Sequence, residues 1–196
     1  MSFIHLRTAS AYSLKYGTTQ PRDLVARASE LEMPALALTD RDGLAGAIRF
    51  TKACVEYGIA PIIGINLPIH IGDTSGVLPR VTVLAHGDGG WRSLVRLYTG
   101  LQMNSADRTA ILTPELLEKF SQYTSNLHLL HGPESPVSQA LATHRFDMAL
   151  GALNHRAVEG IALAEIEFAA DNGIAGLVVA GDIDARNRMA ERHMGL

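Results

Sequence analysis

The feature that most constrains the fold of this chain is the alternation of short apolar runs with longer amphipathic stretches. The apolar runs are five to seven residues long and bounded by turn residues, which is typical of buried strands. The predicted strands are residues 3–7, 35–39, 60–66, 81–85, 127–131 and 176–181, with a weaker one at 158–163. Strands that alternate with helices at this spacing predict parallel pairing with the helices outside.

Helix signals lie between these runs. One helix is predicted after Thr19 with Pro21 in its first turn, and a second from near Gly43 to a stop at Gly58. A third covers residues 90–103, and Thr113 followed by proline and glutamate predicts the start of a fourth. Helical patterns recur at residues 137–143, 146–154 and 164–172.

Composition excludes several functional classes. The 196 residues carry a net charge of −3, so the chain as a whole has no basic footprint for nucleic acid. The single cysteine, Cys54, lies in a helical apolar pattern and is interpreted as a buried core thiol. The chain opens without a signal peptide and has no apolar run of membrane-spanning length, so we expect a cytoplasmic protein without a membrane partner.

Polar residues stand at the ends of the predicted strands, where parallel α/β folds place their chemistry. For a single residue such as Asp42 or Asp184, a helix cap is an equally good interpretation. The repeated position at strand ends favours a common site. The residues are His5, Arg7, Asp40, Arg41, Asp42, Asn66, Asp182 and Asp184, together with Arg80, which opens the fourth strand, and the apolar Pro133, which follows the fifth.

Taken in order, these segments resemble the PHP domain (polymerase and histidinol phosphatase superfamily) at the N-terminus of bacterial DNA polymerase III alpha subunits. Residues 3–17 resemble the opening HLHxHSxYSLLDGA, residues 33–46 resemble ALTDHxGLxG, and residues 61–66 resemble PIIGxE. Residues 81–101, 127–133 and 180–184 resemble the later LLAxxxxGxxNLxxL, LxxLSGC and ATNDxH segments. The spelling of the first two segments leans toward the error-prone type of alpha subunit.

The resemblance implies a fold and a context. The fold would be an α/β, distorted seven-stranded (β/α) barrel that forms a single domain over residues 1–196. The chain would be an N-terminal fragment of a longer polymerase, with the remaining domains of that alpha chain as partners. DNA would be reached only through the full polymerase, in replication or translesion synthesis.

Most of the family's metal ligands are replaced when the resemblance is carried over position by position. His5 and Asp182 match ligands. Histidine positions fall on Arg7, Arg41, Arg80 and Asp184, carboxylate positions on Tyr16 and Asn66, and the cysteine position on Pro133. A guanidinium has no lone pair for a metal and keeps its positive charge. We therefore expect no metal, no cofactor and no catalytic residue in this domain.

Three hypotheses follow for these positions. In the first, Arg7, Arg41 and Arg80 replace the metals structurally by pairing with Asp40, Asp182 and Asp184. In the second, the three arginines form a binding site for phosphate or a DNA backbone. In the third, the chain is a stand-alone phosphoesterase in which His5 and the three aspartates hold one hard cation.

Overall fold

The computed structural model describes residues 3–70, 76–106, 108–120, 126–138 and 177–178. Four helices and five strands are defined within them. The helices are α1 (Pro21–Glu30), α2 (Ala47–Tyr57), α3 (Gly87–Met103) and α4 (Pro114–Lys119). The strands are β1 (Ala35–Arg41), β2 (Ala60–Pro68), β3 (Arg80–Ala85), β4 (Leu127–His131) and β5 (Leu177–Val178).

The helices begin and end where local chemistry allows. The first helical position of α1 and of α4 is a proline, whose missing N–H would be unpaired there in any case. The hydroxyl of Thr113 accepts a hydrogen bond from Leu116 N–H and caps α4. Gly58 ends α2 in the left-handed conformation, with φ of 69°.

The strands form one sheet in the order β1-β2-β3-β4-β5. β1 and β2 are parallel, with Ala35 opposite Ala60 and Arg41 opposite Asn66. The other neighbouring pairs are all antiparallel. The prediction of parallel pairing is therefore correct for the first pair and wrong for the rest.

Backbone hydrogen bonds explain two of the antiparallel pairs, β2–β3 and β3–β4. Ile69 N–H donates to the Pro79 carbonyl, so β3 starts at the end of the sheet where β2 stops. After β3, Leu112 N–H donates to the Pro68 carbonyl at that end, whereas Asn126 accepts from His86 N–H at the other. The chain therefore travels the length of the sheet twice between β3 and β4, and the two strands run in opposite directions.

The predicted seven-stranded barrel is not confirmed, because the five strands within the described residues form an open order. Residues 3–7 have no strand assignment, although the carbonyls of His5 and Thr8 accept from Ala37 and Thr39 N–H of β1. Of the predicted strand at 176–181, the described residues Leu177–Val178 form β5, and the others lie outside the described residues. The weaker strand at 158–163 and the helical patterns at 146–154 and 164–172 lie outside the described residues.

Helices cover one face of the sheet. α1 and α2 pack on β1 around Phe50, and α3 packs on β2, β3 and β4 around Leu94 and Leu97. The opposite face carries a smaller cluster of Ala37, Leu84 and Leu130. In the described part of the chain, no helix combines the length and apolar character needed to cross a membrane.

Candidate functional site

Strand register brings several of the predicted positions to one edge of the sheet. Arg41 at the end of β1 lies opposite Asn66 in β2, and the last residue of β2, Pro68, lies opposite Arg80 at the start of β3. β4 ends at the same edge, because its Leu130 pairs with Thr82 near the start of β3. The turn after β4 therefore lies beside the end of β1.

Arg7 and Arg41 both bind the carboxylate of Glu134, which lies in that turn. Arg7 Nη2 is 2.7 Å from Glu134 Oε2, and Arg41 Nη2 is 2.8 Å and 3.0 Å from the two carboxylate oxygens. Gly132 leaves room for this arrangement, since a Cβ atom there would lie 3.3 Å from Arg7 Nη1. The carboxylate thus connects the N-terminal segment, β1 and the turn after β4.

Arg41 is held from a second side by an aromatic ring. Its guanidinium carbon lies 3.6 Å from the centroid of the Tyr16 ring, which is cation–π distance. The buried Nε of Arg41 has no hydrogen-bond acceptor among the described residues. A cavity of about 120 Å³ adjoins the guanidinium, and it is lined by Arg7, Ala9, Tyr16, Thr39, Arg41 and Asn66.

Arg80 belongs to a neighbouring network. Its Nε donates to the Asn66 side-chain oxygen at 2.6 Å, and its Nη2 donates to Asp42 Oδ1 at 2.6 Å and to the Asn66 carbonyl at 2.8 Å. Its side chain is only 13% exposed. The network therefore joins the ends of β1 and β2 to the start of β3 through a nearly buried cation.

Asp40 is held by hydroxyl groups. It is buried and accepts from Ser10 N–H at 2.6 Å, from Ser10 Oγ at 2.8 Å and from Ser13 Oγ at 2.8 Å. Consecutive strand residues point to opposite faces, so Asp40 lies on the helix-covered side and Arg41 on the other. Asp40 therefore binds Ser10 and Ser13, and not the arginines as the first hypothesis predicted.

His131, the last residue of β4, is a buried histidine. It is 2% exposed, and neither ring nitrogen has a hydrogen-bond partner among the described residues. Burial lowers the pKa of His131 to about 4, because the charged imidazolium would lose its hydration.

We expect His131 to make the domain less stable in mild acid. With a folded-state pKa below the unfolded value, the unfolded chain binds the extra proton, so stability falls as the pH drops from about 6.5 toward 4. The slope is at most about 1.4 kcal/mol per pH unit, or about 1 kcal/mol between pH 7 and 5.5. Urea titrations of the wild type and of His131→Leu across this range measure it. Equal pH slopes in the two proteins would contradict the assignment.

The remaining predicted positions are His5, Pro133, Asp182 and Asp184. His5 is exposed and contacts Phe3 edge to face, and Pro133 is exposed beside Glu134. Asp182 and Asp184 lie outside the described residues. Sequence reasoning missed Glu134, Ser10 and Ser13 as members of the site. The signal for Glu134 was its position in the turn that follows a predicted strand, in the sequence Gly-Pro-Glu.

The described donor set does not fit a divalent metal cluster. Two guanidinium groups face the cavity, and a cation placed there would meet fixed positive charge without lone pairs. Neither Tyr16 nor Asn66 supplies a carboxylate at the wall. In residues 3–70, 76–106, 108–120, 126–138 and 177–178, no three His, Cys, Asp or Glu side chains are grouped so that they could hold a metal ion.

Comparison with known proteins gives one consistent family. Residues 5–173 match the PHP domain. The error-prone DNA polymerase of Corynebacterium efficiens is 38% identical over 132 residues, which are 67% of this chain and 12% of that protein. The DNA polymerase III subunit alpha of Buchnera aphidicola is 34% identical over 140 residues, 71% of this chain and 12% of that protein. The Bacillus subtilis subunit alpha is 37% identical over 105 residues, 54% of this chain and 9% of that protein. The chain thus spans about a tenth of the length of these relatives.

Proposed function

This chain belongs to the PHP domain family, and on that premise we propose that it is a metal-free PHP domain and a structural platform within a bacterial DNA polymerase III alpha chain. Its partners are the remaining domains of that chain, and it meets DNA only through the assembled polymerase in the cytoplasm. The domain occupies residues 1–196 and has no catalytic residue of its own. Relatives of both the replicative and the error-prone type support this context.

The bridge from Arg7 through Glu134 to Arg41 carries the proposal. Two guanidinium groups stand where the resemblance implies histidine ligands, and one carboxylate binds both of them at 2.7–3.0 Å. A guanidinium–carboxylate bridge needs no metal to hold three segments of chain together. The side chains of Arg7 and Arg41 are 31% and 22% exposed, so solvent screens the bridge only in part.

Metal analysis of gently purified protein tests the proposal. We expect manganese, zinc and iron each well below one equivalent per chain, and an unchanged melting temperature after treatment with a chelator. A metal cluster would stabilise the folded state by mass action, so its removal would lower the melting temperature. About two or three tightly held ions per chain, lost on chelation together with stability, would contradict the proposal.

A metal-dependent phosphoesterase is the alternative, because Asp182 and Asp184 remain as oxygen donors in the sequence. Hydrolysis of a generic phosphomonoester with added manganese separates the two functions. The structural platform predicts no turnover above that of buffer containing manganese. Turnover that is abolished by Asp182→Asn would favour the phosphoesterase.

A further inference from the structure

We propose that Arg7 and Arg41 form an oxyanion site and that Glu134 is its displaceable internal occupant, so that a phosphate group binds by replacing the Glu134 carboxylate. The inference rests on the proposed function, because it requires guanidinium groups where the family's metals would lie. It adds a ligand of defined chemistry, a tetrahedral phosphate oxyanion, and a residue that controls access to it.

The geometry of the arginine pair suits such a ligand. Two guanidinium groups donate to a single anionic group, at 2.7 Å from Arg7 and at 2.8 Å and 3.0 Å from Arg41. Planar forks of this kind recognise carboxylate and phosphate alike. An arginine pair that already holds one oxyanion therefore offers the same donors to a second kind of oxyanion.

Glu134 fills this site incompletely. Both of its oxygens bind the same nitrogen of Arg41, Nη2, while the buried Nε–H of Arg41 has no acceptor in the described part of the chain. A buried donor left without an acceptor has a free-energy cost. A phosphate has more oxygens than a carboxylate, so it could accept from Nε and Nη2 of Arg41 and still reach Arg7.

The adjoining space and the position of Glu134 allow the exchange. The cavity of about 120 Å³ beside Arg7 and Arg41 is large enough for several water-sized groups. The Glu134 side chain is 41% exposed, whereas its carbonyl is fixed by Arg80 N–H at 2.8 Å. Rotation of the Glu134 side chain into solvent would release the two arginines without moving the backbone at this hydrogen bond.

Binding of inorganic phosphate, measured by calorimetry at constant ionic strength, tests the inference. If the carboxylate occupies the arginines for about nine-tenths of the time, Glu134→Gln should bind phosphate about ten-fold more tightly than the wild type. Glu118→Gln is the matched control, because it removes the same charge from an exposed position on α4 and should leave the affinity unchanged. Adding Arg7→Gln to Glu134→Gln should abolish the gain.

A second variant, Glu134→Asp, and a second ligand, a 5′-phosphorylated oligonucleotide, extend the test. Glu134→Asp retains the charge but shortens the side chain by one methylene, so it should bind phosphate with intermediate affinity even if Glu134→Gln fails to fold. Tighter binding of inorganic phosphate alone would indicate a site for a free phosphate group. Tighter binding of a 5′-phosphorylated oligonucleotide as well would indicate a site open to DNA ends.

A failure of the oxyanion site can be told apart from a failure of the proposed function. Affinities of Glu134→Gln and Glu134→Asp equal to that of Glu118→Gln would overturn the oxyanion site, as would a gain that survives Arg7→Gln. Neither result would change the metal content of the protein, which tests the proposed function separately.

Discussion

Replacement of Asp40 by alanine is expected to lower the free energy of unfolding by about 3–5 kcal/mol, the largest effect of any substitution considered for this site. The carboxylate is 2% exposed and accepts from one backbone N–H and from the hydroxyls of Ser10 and Ser13, which are themselves fully buried. Alanine would leave these three donors buried without their acceptor. Chemical denaturation monitored by circular dichroism measures the loss.

Two further variants show whether the hydrogen bonds cause the effect. Asp40→Asn keeps one acceptor oxygen and should lose about half as much stability as Asp40→Ala. Asp23→Ala removes an exposed carboxylate from the first turn of α1 and should cost only about 0.5 kcal/mol through the helix dipole. A loss for Asp40→Ala no greater than that for Asp23→Ala would show that Ser10 and Ser13 find other acceptors at little cost.

Sequence pattern was sufficient to locate most of the described elements. Residues 127–131 coincide with β4, and the other predicted strands at 35–39, 60–66 and 81–85 lie within β1, β2 and β3. Apolar runs of this length are local signals, and they do not depend on which strand is the neighbour. Pairing direction does depend on the path of the chain between strands. Between β3 and β4 the chain runs the length of the sheet twice, and no local sequence signal indicates this path. Parallel pairing of β3 and β4 was therefore predicted wrongly.

The site shows the same difference between local sequence signals and features that depend on the path of the chain. Predicted strand ends indicated one edge of the sheet for Arg41 and Asn66, which lie opposite each other in β1 and β2. Arg80 opens its strand and reaches the same edge because β3 is antiparallel to β2. The sequence did not indicate which carboxylate each guanidinium would meet, because that depends on strand faces and on turns. Asp40 and Arg41 are consecutive but point to opposite faces, and Glu134 reaches the arginines from a turn 93 residues beyond Arg41.

Reversal of the charge at Glu134 is the second large expected effect and tests the structural role of the arginines directly. Glu134→Lys would remove the anion shared by Arg7 and Arg41 and place a third cation beside them. Because these side chains are partly exposed, solvent screens the repulsion, and we expect a loss of about 2–3 kcal/mol. Thermal and urea unfolding at low and high salt measure this loss, which should shrink as the salt concentration rises.

A rescue variant separates charge pairing from other effects of the lysine. Combining Glu134→Lys with Arg7→Glu restores an ion pair in reversed orientation and should recover about 1 kcal/mol relative to the sum of the single changes. Glu118→Lys alters the net charge equally at an exposed position and should change stability by less than about 0.5 kcal/mol. If the two single changes prove strictly additive, Arg7 and Glu134 do not stabilise each other. The structural role proposed for the two arginines would then be wrong.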